Sequence, residues 1–273
     1  MDQQFAAVRR AAYAGDLGLF KELLELDPTL ISAPSVDPGD SPNLIQFIIV
    51  EGGLGKISGA PDFLEYLIEH GAPTDAQLVA AASVGARDLV DVLLDAGVPL
   101  DETAPWTAVE ESLYWGHLEL AKYLIERGAA VNTLCASAML GDLQRLETYF
   151  PDGALSTSVL PIAFPWGVIE ESTEGDALGQ ALVLSLRHRQ YEAAQYLLDR
   201  GADINAVPQG NHEECAPLHQ AADRNDFEMV DWLLDRGASG DVKDKRFGGD
   251  AIEWANHAGH MDMVRHLTTG LRL

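Results

Sequence analysis

Five segments of this chain close in the same way: Leu67-Ile68-Glu69-His70-Gly71-Ala72, Leu93-Leu94-Asp95-Ala96-Gly97-Val98, Leu124-Ile125-Glu126-Arg127-Gly128-Ala129, Leu197-Leu198-Asp199-Arg200-Gly201-Ala202 and Leu233-Leu234-Asp235-Arg236-Gly237-Ala238. Their glycines recur with a period of roughly 33 residues, with one marker missing between Gly128 and Gly201. Each glycine follows an amphipathic leucine-rich stretch, as in Leu118, Leu120, Ala121, Leu124 and Ile125, whose apolar residues fall at helical spacing. A glycine there supplies the left-handed residue that ends a helix. A chain written this way folds by stacking one small unit on the next, because a single unit cannot bury its own apolar faces.

Ahead of each of these helices the sequence predicts a second helix of smaller residues, joined by a turn that usually holds glycine. The turns are Tyr13-Ala14-Gly15-Asp16, Ser83-Val84-Gly85-Ala86, Tyr114-Trp115-Gly116-His117, Met139-Leu140-Gly141-Asp142 and His257-Ala258-Gly259-His260. The unit of helix, turn, helix and loop resembles the ankyrin-repeat family. Ala216-Pro217-Leu218-His219-Gln220-Ala221-Ala222 matches the family's opening motif, and Gly201-Ala202-Asp203-Ile204-Asn205 and Gly128-Ala129-Ala130-Val131-Asn132 match its closing motif. The resemblance implies an all-α helical-repeat solenoid with short loop hairpins. About eight units are expected, some degenerate, within a single domain over 1–273: 1–28, 41–74, 75–101, 102–132, 133–153, 176–205, 215–241 and 249–270.

Departures from the pattern mark specialisation. The opening motif becomes Thr107-Ala108-Val109-Glu110 in the fourth unit and Asp250-Ala251-Ile252-Glu253 in the eighth, which puts the family's usual inter-repeat hydrogen bonds in doubt there. Two insertions are expected, at about 51–60 and 154–175. The first is glycine-rich and reads as an inter-helix loop. The second holds Leu160-Pro161-Ile162-Ala163-Phe164-Pro165-Trp166-Gly167, which is too proline-broken for a regular helix and is expected to fold back over the repeat surface.

Chemistry-bearing motifs are few. The glycines before Lys56 do not form a phosphate loop, which needs Gly-Lys followed directly by Ser or Thr and a preceding strand; here Ile57 intervenes. His212, Cys215 and His219 match no zinc spacing, and the resemblance gives His219 a structural task in capping the turn of its own repeat. Cys135 and Cys215, two units apart, read as reduced thiols. No nucleophile elbow is present, so no catalytic residue, metal or cofactor is assigned.

With 18 Lys+Arg against 43 Asp+Glu, a formal charge of −25, the chain lacks the basic surface that phosphate-backbone binding requires. The carboxylates fall mainly on the second helices, at Glu65, Glu69, Asp91, Asp95, Glu119, Glu126, Asp199, Asp231 and Asp235, and most of them read as a solvated face. No apolar run reaches the roughly 18 residues of a membrane span, and the opening Met-Asp-Gln-Gln lacks a signal-peptide pattern.

A cytoplasmic, monomeric, non-catalytic protein-interaction module is therefore expected, with a protein partner of basic character and no direct nucleic-acid or membrane contact. In the family's geometry, residues before the inter-helix glycine line a concave surface. Carried over, these include Tyr114, Trp115, Met139, Leu140, Arg187, His188, Arg224 and His257. Trp106 at a loop base and Phe164 and Trp166 of the insertion complete the expected partner-binding set. Two alternatives stay open: an enzyme or small-ligand protein with a pocket under the 154–175 insertion, using Glu110, His188 or His257 as acid or base; or an acidic decoy for a basic, nucleic-acid-binding protein.

Overall fold

A computed structural model of the chain describes residues 2–34, 43–103, 106–165, 167–209 and 214–270. The fold is all-α, apart from one two-stranded hairpin among these residues. The chain divides into two compact bodies, Met1–Val131 and Asn132–Leu273. The first holds α1 (Asp2–Tyr13), α2 (Leu17–Leu26), α3 (Leu44–Gly53), α4 (Ala60–Glu69), α5 (Gln77–Ser83), α6 (Arg87–Asp95), α7 (Ala108–Tyr114) and α8 (Leu118–Glu126). The second holds α9 (Leu134–Leu140), α10 (Leu143–Thr148), the hairpin β1 (Ile162–Phe164) and β2 (Gly167–Ile169), α11 (Glu174–Arg187), α12 (Tyr191–Leu198), α13 (Pro217–Asp223), α14 (Phe227–Leu234), α15 (Ala251–His257) and α16 (Met261–Gly270).

In each body the helices pack as antiparallel pairs. The odd-numbered helices stack on one another, α3 on α5 and α5 on α7 in the first body, α9 on α11 and α13 on α15 in the second. The even-numbered helices bury one stripe apiece: Leu89, Val90 and Leu93 in α6, Leu120, Ala121 and Leu124 in α8, Met229, Val230 and Leu233 in α14. Their acidic residues face out, as the sequence predicts, except for the half-buried Asp91, which accepts the Tyr123 hydroxyl.

The turns within pairs need a left-handed residue, and glycine usually supplies it. Where it does not, Arg189 (φ 55°) and Asn225 (φ 56°) take the same conformation between α11 and α12 and between α13 and α14. Histidines after the turn glycines tie one pair to the pair before it: His117 Nε2 lies 3.0 Å from the Ser83 carbonyl, and His260 Nε2 2.9 Å from the Asp223 carbonyl. His219 does not cap its own turn. Its Nε2 reaches forward to the Gly249 carbonyl at 3.1 Å, so it fixes the loop of the following pair.

The degenerate openings at 107–110 and 250–253 replace histidine by a carboxylate that folds back on its own helix. Glu110 Oε2 accepts from the Thr107 N–H at 3.0 Å and its hydroxyl at 2.5 Å, and Glu253 Oε2 accepts from the Asp250 N–H at 2.8 Å. Both are capping boxes, in which side chain and backbone satisfy each other's orphan groups at the helix N-terminus.

The glycine-rich segment after Glu51 is not all loop. Gly52 and Gly53 belong to α3, and a Cβ on either would fall 2.5 Å from Ala60 Cβ or 2.4 Å from Val84 Cγ2. These glycines let α3 approach its neighbours, and Lys56 is paired to Glu51 at 2.9 Å. In the 154–175 segment β1 and β2 run antiparallel with Ile162 opposite Ile169 and Phe164 opposite Gly167, and Ile162 is buried.

Candidate functional site

Burial redistributes the residues expected to bind a partner. Tyr114 and Met139 are 1% and 0% exposed and Trp106 is 8% exposed, so all three are core. All seven residues of α7 are buried, since α5 and α8 both pack on it; in α9 only Leu140 escapes burial, and then by half. Trp115, one residue past α7, is 42% exposed. Its indole N–H donates to Glu111 Oε1 at 2.7 Å, while Trp106 donates to Oε2 of the same carboxylate at 2.6 Å. Tyr114 meets both indoles edge-on at 5.9 and 5.3 Å. Burial pushes the Glu111 carboxyl above its usual range, against the pull of the two indole hydrogen bonds. This cluster is a buried anchor with one accessible indole face, and it lies in the first body.

The remaining expected residues lie in the second body. Phe164, Arg187 and His188 are half-buried, while Arg224 and His257 are exposed. Trp166 lies outside the described residues, as does His212 of the metal question. Cys135 and Cys215 are buried, and no disulfide or cluster of metal-binding side chains is found among the described residues. No described helix is long and apolar enough to cross a membrane.

His257 stands at a cleft of about 530 Å³ between the C-terminal end of α13, the loop before α15 and α15 itself, lined by Asp223, Phe247, Gly249, Glu253, Trp254 and His257 among others. Its walls are locked by one buried carboxylate, Asp244, which is 4% exposed. Asp244 Oδ1 accepts from the backbone N–H of Arg246 at 2.9 Å and of Phe247 at 2.5 Å. Oδ2 accepts from Gly249 at 2.7 Å and from the Trp254 indole at 3.0 Å. Burial alone would raise this carboxyl, but the four donors outweigh it and hold it below the usual range. Gly249 allows the close approach: a Cβ there would lie 3.3 Å from both Asp244 Oδ2 and Trp254 Cδ1. Held this way, Phe247 projects 75% exposed, its ring centroid 6.5 Å from that of Trp254.

Of the residues expected from the sequence to bind a partner, His257 lines this cleft; Phe247 and Trp254, which also line it, were not among them. The available signal was the Asp250-x-x-Glu253 capping box, which fixes the start of α15 and so the direction of Trp254.

Paired helices joined by left-handed turns and stacked through a repeated buried stripe define the class as a helical-repeat protein. Residues 218–267, from within α13 to within α16, match the family model described as ankyrin repeats (many copies). That stretch is similar to ankyrin repeats, and the helical-repeat build of the other described residues is consistent with them. No curated protein matches it at a significant level.

Proposed function

We propose that the chain is a non-catalytic protein-interaction module whose eight helix pairs are successive repeats, and that the cleft beside α13 and α15 is its main docking surface. Ankyrin repeats generally mediate protein–protein interaction. The observation that carries the placement is Phe247, a large aromatic ring 75% exposed on a loop whose backbone is fixed by Asp244. An exposed aromatic on a rigid support loses little entropy on binding, and such anchors dominate interface energetics. His257 lines this surface, and Arg224 follows its lining residue Asp223 in the chain. Trp115, in the first body, is a second proposed contact, and Leu140, Phe164, Arg187 and His188 are retained as peripheral ones. The charge of −25 favours a partner of basic character and speeds its encounter.

The test is capture of partners from the native cell extract, their identification by mass spectrometry, and direct titration of the purified partner. Phe247→Ala is expected to weaken binding by about 2 kcal/mol without change in helicity. A partner bound equally well by Phe247→Ala and wild type would move the docking surface elsewhere, with Trp115→Ala as the next variant.

A further inference from the structure

We infer that this cleft recognises an arginine side chain of the partner, its guanidinium lying against Trp254 and Phe247 and pairing with Asp223 and Glu253. The inference rests on the docking reading above and names the chemistry the cleft selects. Two aromatic rings set at 61° form an open wedge, and an aromatic face attracts a cation within about 6 Å of its centroid. The rings alone would accept any apolar group. The carboxylates narrow the choice.

Asp223, at the end of α13, has no side-chain partner among the described residues. Glu253 engages Oε2 with Lys243 at 3.0 Å and with the Asp250 N–H at 2.8 Å, while Oε1 has no partner among the described residues. Lys243 is also shared with Asp250 at 2.8 Å, so one cation there serves two carboxylates. The chain's own Arg246 sits 5.3 Å from the Phe247 centroid, and the ring is 75% exposed in spite of it.

Arginine fits this set better than lysine. A planar, weakly hydrated guanidinium can stack on a ring and present two N–H donors sideways to a carboxylate, whereas an ammonium remains a strongly hydrated point charge. A volume of about 530 Å³ holds one long side chain with its flanking backbone.

The test uses the full-length, ¹⁵N-labelled chain titrated at constant ionic strength with N-acetyl-arginine methylamide, its neutral isostere N-acetyl-citrulline methylamide, and N-acetyl-leucine methylamide. The Trp254 indole N–H and the Gly248 and Gly249 amides report on the cleft. Saturable shifts with arginine, at an affinity about tenfold or more above citrulline, are expected. Asp223→Asn with Glu253→Gln should abolish that preference, and the glutamine retains an oxygen for the cap. Phe247→Ala, an exposed position, gives a second loss that does not depend on folding. Equal binding of arginine and citrulline, tighter binding of leucine, or an arginine preference that survives the double variant would each overturn the assignment. Arginine selectivity with partner capture unaffected by Phe247→Ala supports the cation site and sinks the docking reading instead.

Discussion

Glu111 shows how far a residue's surroundings can depart from what its local sequence suggests. On the chain it is an acid on a predicted helix, next to aromatics that the turn glycine places at a surface. In the fold it is buried and grips two indoles at once. Nothing local announces this, because the burial of Tyr114 and the half-exposure of Trp115 are decided by how α5 and α8 close on α7. A consequence can be measured. Burial raises the carboxyl above its usual range, so the folded state favours the protonated form more than the unfolded chain does. Its contribution is fully present below the ordinary glutamate value and is lost as pH rises through the raised one. Denaturant unfolding should show wild type gaining stability relative to Glu111→Gln as pH falls from about 7 to about 4.5. A constant gap would show that the carboxyl titrates normally. Gly116 offers a purely conformational test: at φ 85° a Cβ would meet nothing within 4 Å, so Gly116→Ala should cost roughly 1–2 kcal/mol from the left-handed backbone alone.

At the scale of the helix, the sequence is more legible. The closing Leu-Leu-Asp-Arg-Gly-Ala segments and turn glycines locate the helix pairs because both signals are local: an apolar stripe at helical spacing and a residue that tolerates positive φ. Leu124, fully buried in α8, belongs to that stripe. Leu124→Ala should lower stability by roughly 2–5 kcal/mol in chemical denaturation, through the cavity left between stacked helices, with no effect on the Phe247 surface. Departures from the motif were harder to read. The loss of the opening histidine at 107–110 and 250–253 looks like a weakened link, yet a capping box takes its place and stabilises each helix from within. The Phe247–Trp254 wedge was illegible for a related reason. Its geometry depends on Asp244 gathering donors from a loop and from the next helix, and no periodicity records that. Asp244→Ala should therefore release the loop, raising hydrogen exchange at Phe247 and Gly249, while the α9–α11 stack keeps its protection.

Across the whole molecule the dominant quantity is a net charge of −25. Like charges repel, so the folded chain carries a self-repulsion that salt can screen, with a Debye length falling from about 10 Å at 0.1 M to about 3 Å at 1 M. The apolar stripes that hold helix to helix are indifferent to such screening at moderate concentration. Two effects of the same ions should then run in opposite directions. Raising sodium chloride from about 0.05 to about 0.5 M should raise the melting temperature, as repulsion among the exposed carboxylates of the even-numbered helices is screened. Over the same range, association with a basic partner should weaken, mostly through a slower on-rate, because the field that draws the partner in is the one being screened. The loss in stability from Leu124→Ala should stay constant throughout, since a cavity between leucine side chains holds no charge. Parallel salt series of melting curves and stopped-flow association for wild type, Leu124→Ala and Phe247→Ala would separate these terms. A melting temperature that falls with salt would show that paired contacts such as Arg189 with Asp226, 2.5 Å apart, outweigh the net repulsion. An on-rate that ignores salt would show that the acidic surface takes no part in recognition.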